Sequence, residues 1–167
     1  RKIYYNQIAD ARVRNNRNAE ITMTLIGFLT WFLDDAPAAA RSVIHRIDTI
    51  RPATADDQQL YHFFIARSKA DIALYEQNTR AISTNLKTFQ GFESTMLCQN
   101  VESVRQDTQF TLGRLALAQA KQRRSISRKE KQNLMRWGQE LAQSHVPLAQ
   151  GWGNHLLAGL AMLENNP

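Results

Sequence analysis

Ile21-Thr22-Met23-Thr24-Leu25-Ile26-Gly27-Phe28-Leu29-Thr30-Trp31-Phe32-Leu33 is the longest charge-free apolar run in the chain, and Asp34-Asp35 ends it abruptly. Ile21, Leu25, Phe28, Leu29 and Phe32 recur at three- and four-residue steps, the spacing of one helical face. Met23, Ile26 and Trp31 occupy the remaining faces, so no side is polar enough to meet water. The pattern predicts a central buried helix near 21–33 that other helices must cover. A membrane span is the rival, but thirteen residues rise only about 20 Å as a helix, against roughly 30 Å of hydrocarbon.

Outward from this run, composition favours helix almost everywhere. The 167 residues contain 7 glycines and 4 prolines, while Ala, Leu, Gln and Arg are plentiful and no convincing period-2 alternation occurs. The expected fold is all-α: a single-domain helical bundle of five to six helices spanning 1–167, with 1–20 as a polar helical extension. A chain of this length buries a sizeable core without staples. Cys98 is alone, which excludes an intramolecular disulfide and a thiolate metal cluster within one chain.

Residues 3–33 read as one helix of variable regularity, with Asn15-Asn16-Arg17-Asn18 as a weak point of low helix propensity. Asp35 is the expected N-cap of the next helix, Pro37 fits its first turn, and Pro52 disfavours its continuation. Thr54 with Asp57 resembles a capping box opening a long helix. Tyr61, Ile65, Ser68, Ile72, Tyr75, Thr79, Ile82, Leu86 and Phe89 then follow four- and three-residue steps as a packing seam. Gly91 is the expected stop. A further helix is expected from 93 to 124, and Ser127 with Glu130 forms a capping box that starts the last segment. There the seam runs through Leu134, Gly138, Leu141, His145, Leu148, Trp152, Leu156, Gly159 and Leu163, with Pro147 predicting a kink or break near Val146. Gly151, Gly153 and Gly159 suggest close backbone approach to another helix.

Charge is uneven along the chain. The formal net charge is +6, and most of it lies in residues 1–20 and 121–136. Lys121, Arg123, Arg124, Arg128, Lys129 and Lys131 cluster at a helix–helix junction, a pattern suited to phosphates of nucleic acid or to an anionic membrane surface. Aromatic side chains do not interleave this run to stack bases. A second candidate surface comprises Trp137, Trp152, Leu156, Leu160 and Leu163, an amphipathic stripe for a partner helix unless the last segment docks within the chain.

Catalytic and metal patterns are weak. His45, His62, His145 and His155 are scattered without ligand spacing, and His145 on the seam reads as a core imidazole. Cys98 reads as a buried inert thiol. Asp34-Asp35 and Asp56-Asp57 are explained by helix starts rather than by acid/base work. The sequence therefore favours a non-enzymatic interaction module without cofactor or metal: an adaptor or assembly subunit with a protein partner or a second copy. A membrane-tethered or secretion-associated bacterial protein suits it, periplasmic or membrane-associated rather than cytoplasmic. The absence of an initiator Met suggests that residue 1 is not the natural start. One alternative is a small basic subunit that binds nucleic acid through 121–136 and 1–20. Another is a helical sensory domain holding a small ligand among aromatics such as Tyr61, Tyr75 and Trp152.

Overall fold

The computed structural model describes residues 2–48 and 55–165. Among the described residues the protein is all-α, with nine α-helices, one 3-10 helix and no strand. That exceeds the five to six helices expected, because several seams that look continuous in sequence are broken in space. The contacts divide the chain into two compact units, residues 1–76 and 77–167.

The first unit contains α1 (Lys2–Val13), α2 (Arg17–Gly27), a 3-10 helix (Phe28–Asp34), α3 (Pro37–Asp48) and α4 (Ala55–Tyr75). The single helix expected over 3–33 is two helices and a 3-10 segment. Asn15 adopts a left-handed conformation (φ 51°). The Asn16 side chain then accepts the Ala19 N–H at 3.1 Å and so starts α2. Arg12 and Glu20 pair across the bend at 2.5 Å. The low-propensity asparagines thus end one helix and cap the next.

Among the described side chains of the apolar run, Ile21, Thr24 and Leu25 are buried, and Leu33 is exposed. Ile21 and Leu25 join Ala40, Ile44, Ile47, Tyr61, Ile65 and Ile72 in the core of this unit, with Trp31, Phe32 and Val43 packed against it. At Gly27 the α-helix tightens into 3-10 geometry, which carries Leu33 outward to 87% exposure. Asp35 does not cap α3 as expected. It ends the 3-10 segment in a left-handed conformation, φ 51°, with its amide donating to Phe32 O at 3.2 Å. Its carboxylate instead accepts the Tyr75 hydroxyl at 2.7 Å. Tyr75 also stacks on Phe32, with centroids 4.5 Å apart, so the end of α4 is held to the 3-10 segment. Pro37 opens α3 at its first position, where no N–H is needed. Pro52, Thr54 and the Asp57 side chain lie outside the described residues.

The second unit contains α5 (Thr79–Glu93), α6 (Met96–Asn100), α7 (Glu102–Arg123), α8 (Arg128–Ala142) and α9 (Pro147–Asn165). The seam expected to run unbroken through 61–89 is interrupted at Gln77, φ 53°. Asn78 then caps α5 by accepting the Ala81 N–H at 3.0 Å. Gly91 lies inside α5, which continues to Glu93; Thr95 and Val101 interrupt the helix expected over 93–124.

α7 is the central helix of this unit and packs against α5, α6, α8 and α9. Leu112 and Leu115 are fully buried on it, each worth ~1.5–3 kcal/mol of apolar transfer. Gln106, Thr108, Gln109 and Thr111 are buried beside them. Both glutamines have partners: Gln106 donates to Ser144 Oγ at 3.0 Å and Glu102 at 2.8 Å, and Gln109 donates to Glu140 at 2.5 Å. Buried amides bonded in this way avoid the desolvation penalty that unpaired ones would carry.

Candidate interaction surface

The basic junction is built by two local caps. Arg124 ends α7 in a left-handed conformation, φ 54°. Its amide donates to Lys121 O at 3.2 Å, and the Ser125 amide donates to Ala120 O at 3.2 Å. Three residues later Ser127 starts α8 with the expected capping box. Its hydroxyl accepts the Glu130 N–H at 3.3 Å, and Glu130 accepts the Ser127 N–H at 2.9 Å. Partial burial pushes the Glu130 carboxyl up. The Ser127 amide and hydroxyl together with Arg123, at 2.6 Å, outweigh that and hold it below the ordinary range.

Of the six expected patch residues, Arg123 is paired with Glu130 and Lys131 with Glu164. Lys121, Arg124, Arg128 and Lys129 are exposed and have no acidic partner among the described residues. The junction is therefore a smaller cationic patch than a count of Lys and Arg implies. In the other basic segment, Arg12 pairs with Glu20 and Arg14 with Asp10.

The partner-helix stripe expected from sequence is largely used inside the unit. Trp137 is buried, with its indole N–H donating to Glu93 at 3.1 Å. Leu156 and Leu160 are fully or almost fully buried, and Trp152 stacks on Phe110 with centroids 4.8 Å apart. Leu163 is half-buried. Trp152, Leu156 and Leu160 thus face inward where α9 packs on α7 and α8.

Another stripe of α9 faces outward. Leu148 (62% exposed), Gly151, His155, Ala158 and Met162 (67% exposed) are all exposed on α9. Their steps of three, four, three and four residues make a packing seam without a described occupant. A Cβ on Gly151 would meet nothing within 4 Å, so backbone approach is open there. Gly153 faces the other way, against α8, and Gly159 lies against Leu117. Sequence reasoning missed the outward seam because it placed Leu148 on the buried one; the signal was the restart of the helix at Pro147.

His145, expected in the core, is exposed, 3.9 Å from Glu102. His155 is exposed, edge-on to Phe110. Cys98 is buried as expected; burial raises its thiol, partly offset by the Thr108 hydroxyl. Tyr61 donates to Ile47 O and Tyr75 to Asp35, so both hydroxyls are engaged within the first unit. Among the described residues no group of three or more His, Cys, Asp or Glu is placed to hold a metal ion, and no helix is long and apolar enough to cross a membrane. No protein-family model, curated protein or solved structure matches this chain.

Proposed function

We propose that this chain is a non-enzymatic helical interaction module, an adaptor or assembly subunit, whose contact face is the outward seam of α9. The observation that carries this reading is the exposure of Leu148 and Met162 at the two ends of a 3-4-3-4 stripe in which small Gly151 and Ala158 flank His155. Small residues let a second helix approach closely, and large ones at each end supply apolar area.

A second copy of the chain fits this face. The order large, small, His, small, large reads nearly the same in both directions about His155. Antiparallel pairing sets Leu148 against Met162 of the other copy and Gly151 against Ala158, the self-complementarity that a two-fold interface needs. Sedimentation equilibrium tests the reading. Association that tightens with concentration and is lost in Leu148→Glu or Met162→Glu supports it. A strict monomer at every concentration, or association indifferent to both changes, contradicts it.

A second reading is a small basic subunit that binds nucleic acid or an anionic membrane surface. The exposed, unpaired Lys121, Arg124, Arg128 and Lys129 favour it. Titration with single- and double-stranded DNA and RNA across salt is its test, since phosphate neutralisation must weaken steeply as salt rises.

A further inference from the structure

We propose that the cleft at the C-terminal ends of α7 and α9 binds an aliphatic carboxylate: an unbranched apolar tail with one anionic head. The cleft encloses about 660 Å³, within the roughly 300–1,000 Å³ of small-ligand pockets. Leu117, Ile126 and Leu163 make its walls apolar, and Met162 extends them outward. Gly159 lets the Leu117 side chain pack directly on the α9 backbone, so Leu117 forms the apolar floor of the cleft between the two helices.

Lys121 and Arg124 bring two positive charges to the same cleft. The acids of the adjoining helices are already engaged, Glu130 with Arg123 and Ser127, and Glu164 with Lys131. Neither Lys121 nor Arg124 has an acidic partner among the described residues. Apolar walls beside two cations without an acidic partner among the described residues select an amphiphile of negative charge: a cationic head is repelled, and a small anion without a tail forgoes the apolar contact. The site is separate from the middle of the α9 seam. Leu148 is fourteen positions from Met162, about 21 Å along the helix.

Isothermal titration of the whole chain with dodecanoate below its micelle concentration tests the site, with dodecyltrimethylammonium and acetate as probes of head charge and tail. The expected result is saturable one-to-one binding of dodecanoate alone. Lys121→Gln combined with Arg124→Asn, both at exposed positions and the latter suited to left-handed backbone, weakens it at least tenfold. Ala118→Phe, which fills the cleft, removes it. Lys121 and Arg124 lie outside the α9 seam, so the double charge variant is expected to sediment as the parent does, and loss of the ligand is read separately from loss of assembly. Non-saturable uptake, equal binding of the cationic amphiphile, or an unchanged affinity in the double charge variant would overturn the proposal.

Discussion

Gly153 of α9 lies against the carbonyl oxygen of Gly138 in α8: a Cβ built on Gly153 would sit 2.6 Å from that oxygen and 2.8 Å from Ala142 Cα. Backbone, unlike the tip of a side chain, has little room to move aside. Gly153→Ala is expected to force the two helices apart and to destabilise the second unit by about 1–3 kcal/mol or more. Gly151→Ala, two residues away and facing open space, is expected to stabilise α9 by ~0.5–1 kcal/mol. Urea unfolding followed by Trp fluorescence checks the pair, and equal effects in the two variants would refute the crossing.

The capping box predicts a pH signature. The Glu130 carboxyl is held below its ordinary value of 4.5, so it contributes stability above that value and loses it as pH falls through the folded-state value. Ser127→Ala is expected to cost about 1 kcal/mol at pH 7. Glu130→Gln, which keeps the shape without the charge, should lower stability at pH 7 and converge on the parent protein as pH falls below the folded-state value. A difference that persists unchanged into acid would show that the charge contributes nothing.

Cys98 is buried, and its thiol is pushed up by that burial. A thiol rather than thiolate is a poor nucleophile, so labelling by a water-soluble disulfide reagent should be slow in the folded protein. Unfolding in denaturant should accelerate it at least tenfold. Rapid labelling of the native chain would contradict the packing of α6 against α7.

Tyr75 and Asp35 provide a test within the first unit. The Asp35 hydrogen bond, then burial and the carboxylate's charge, raise the Tyr75 phenol above its ordinary value of 10.0. A raised folded-state value means the contribution is complete below 10.0 and lost as pH rises through the folded value. Asp35→Asn should therefore lower the titration midpoint of one tyrosine in an ultraviolet pH scan. An unchanged scan would remove the link between α4 and the 3-10 segment.

What the sequence revealed most clearly was chemistry confined to a few neighbouring residues. Ser127 with Glu130, the Pro147 break and the asparagines before Arg17 each act over one helical turn, so residue type alone locates them. Longer seams hold beyond a break, as Ile82, Phe89 and Leu156 are buried where their spacing predicts, but misplace the residues beside it. His145 and Leu148 were extrapolated from Leu141 through the segment 143–146, and both are exposed. The centre of the second unit was hidden for another reason. Gln106, Thr108, Gln109 and Thr111 resemble a solvated face, and partners over thirty residues away, Ser144 and Glu140, help make burial of the glutamines tolerable. Asp35 missed its expected role because the chain turns left-handed there, a choice its identity permits but does not dictate.

Cross-linking through α9 tests the assembly account most directly. In a Cys98→Ala background, His155→Cys is expected to form a covalent dimer under mild oxidation, since antiparallel pairing brings that position against itself. Leu148→Cys alone should remain monomeric but link to Met162→Cys when the two variants are mixed. Failure of His155→Cys to dimerise, or equal cross-linking at Glu164→Cys outside the seam, would contradict the account.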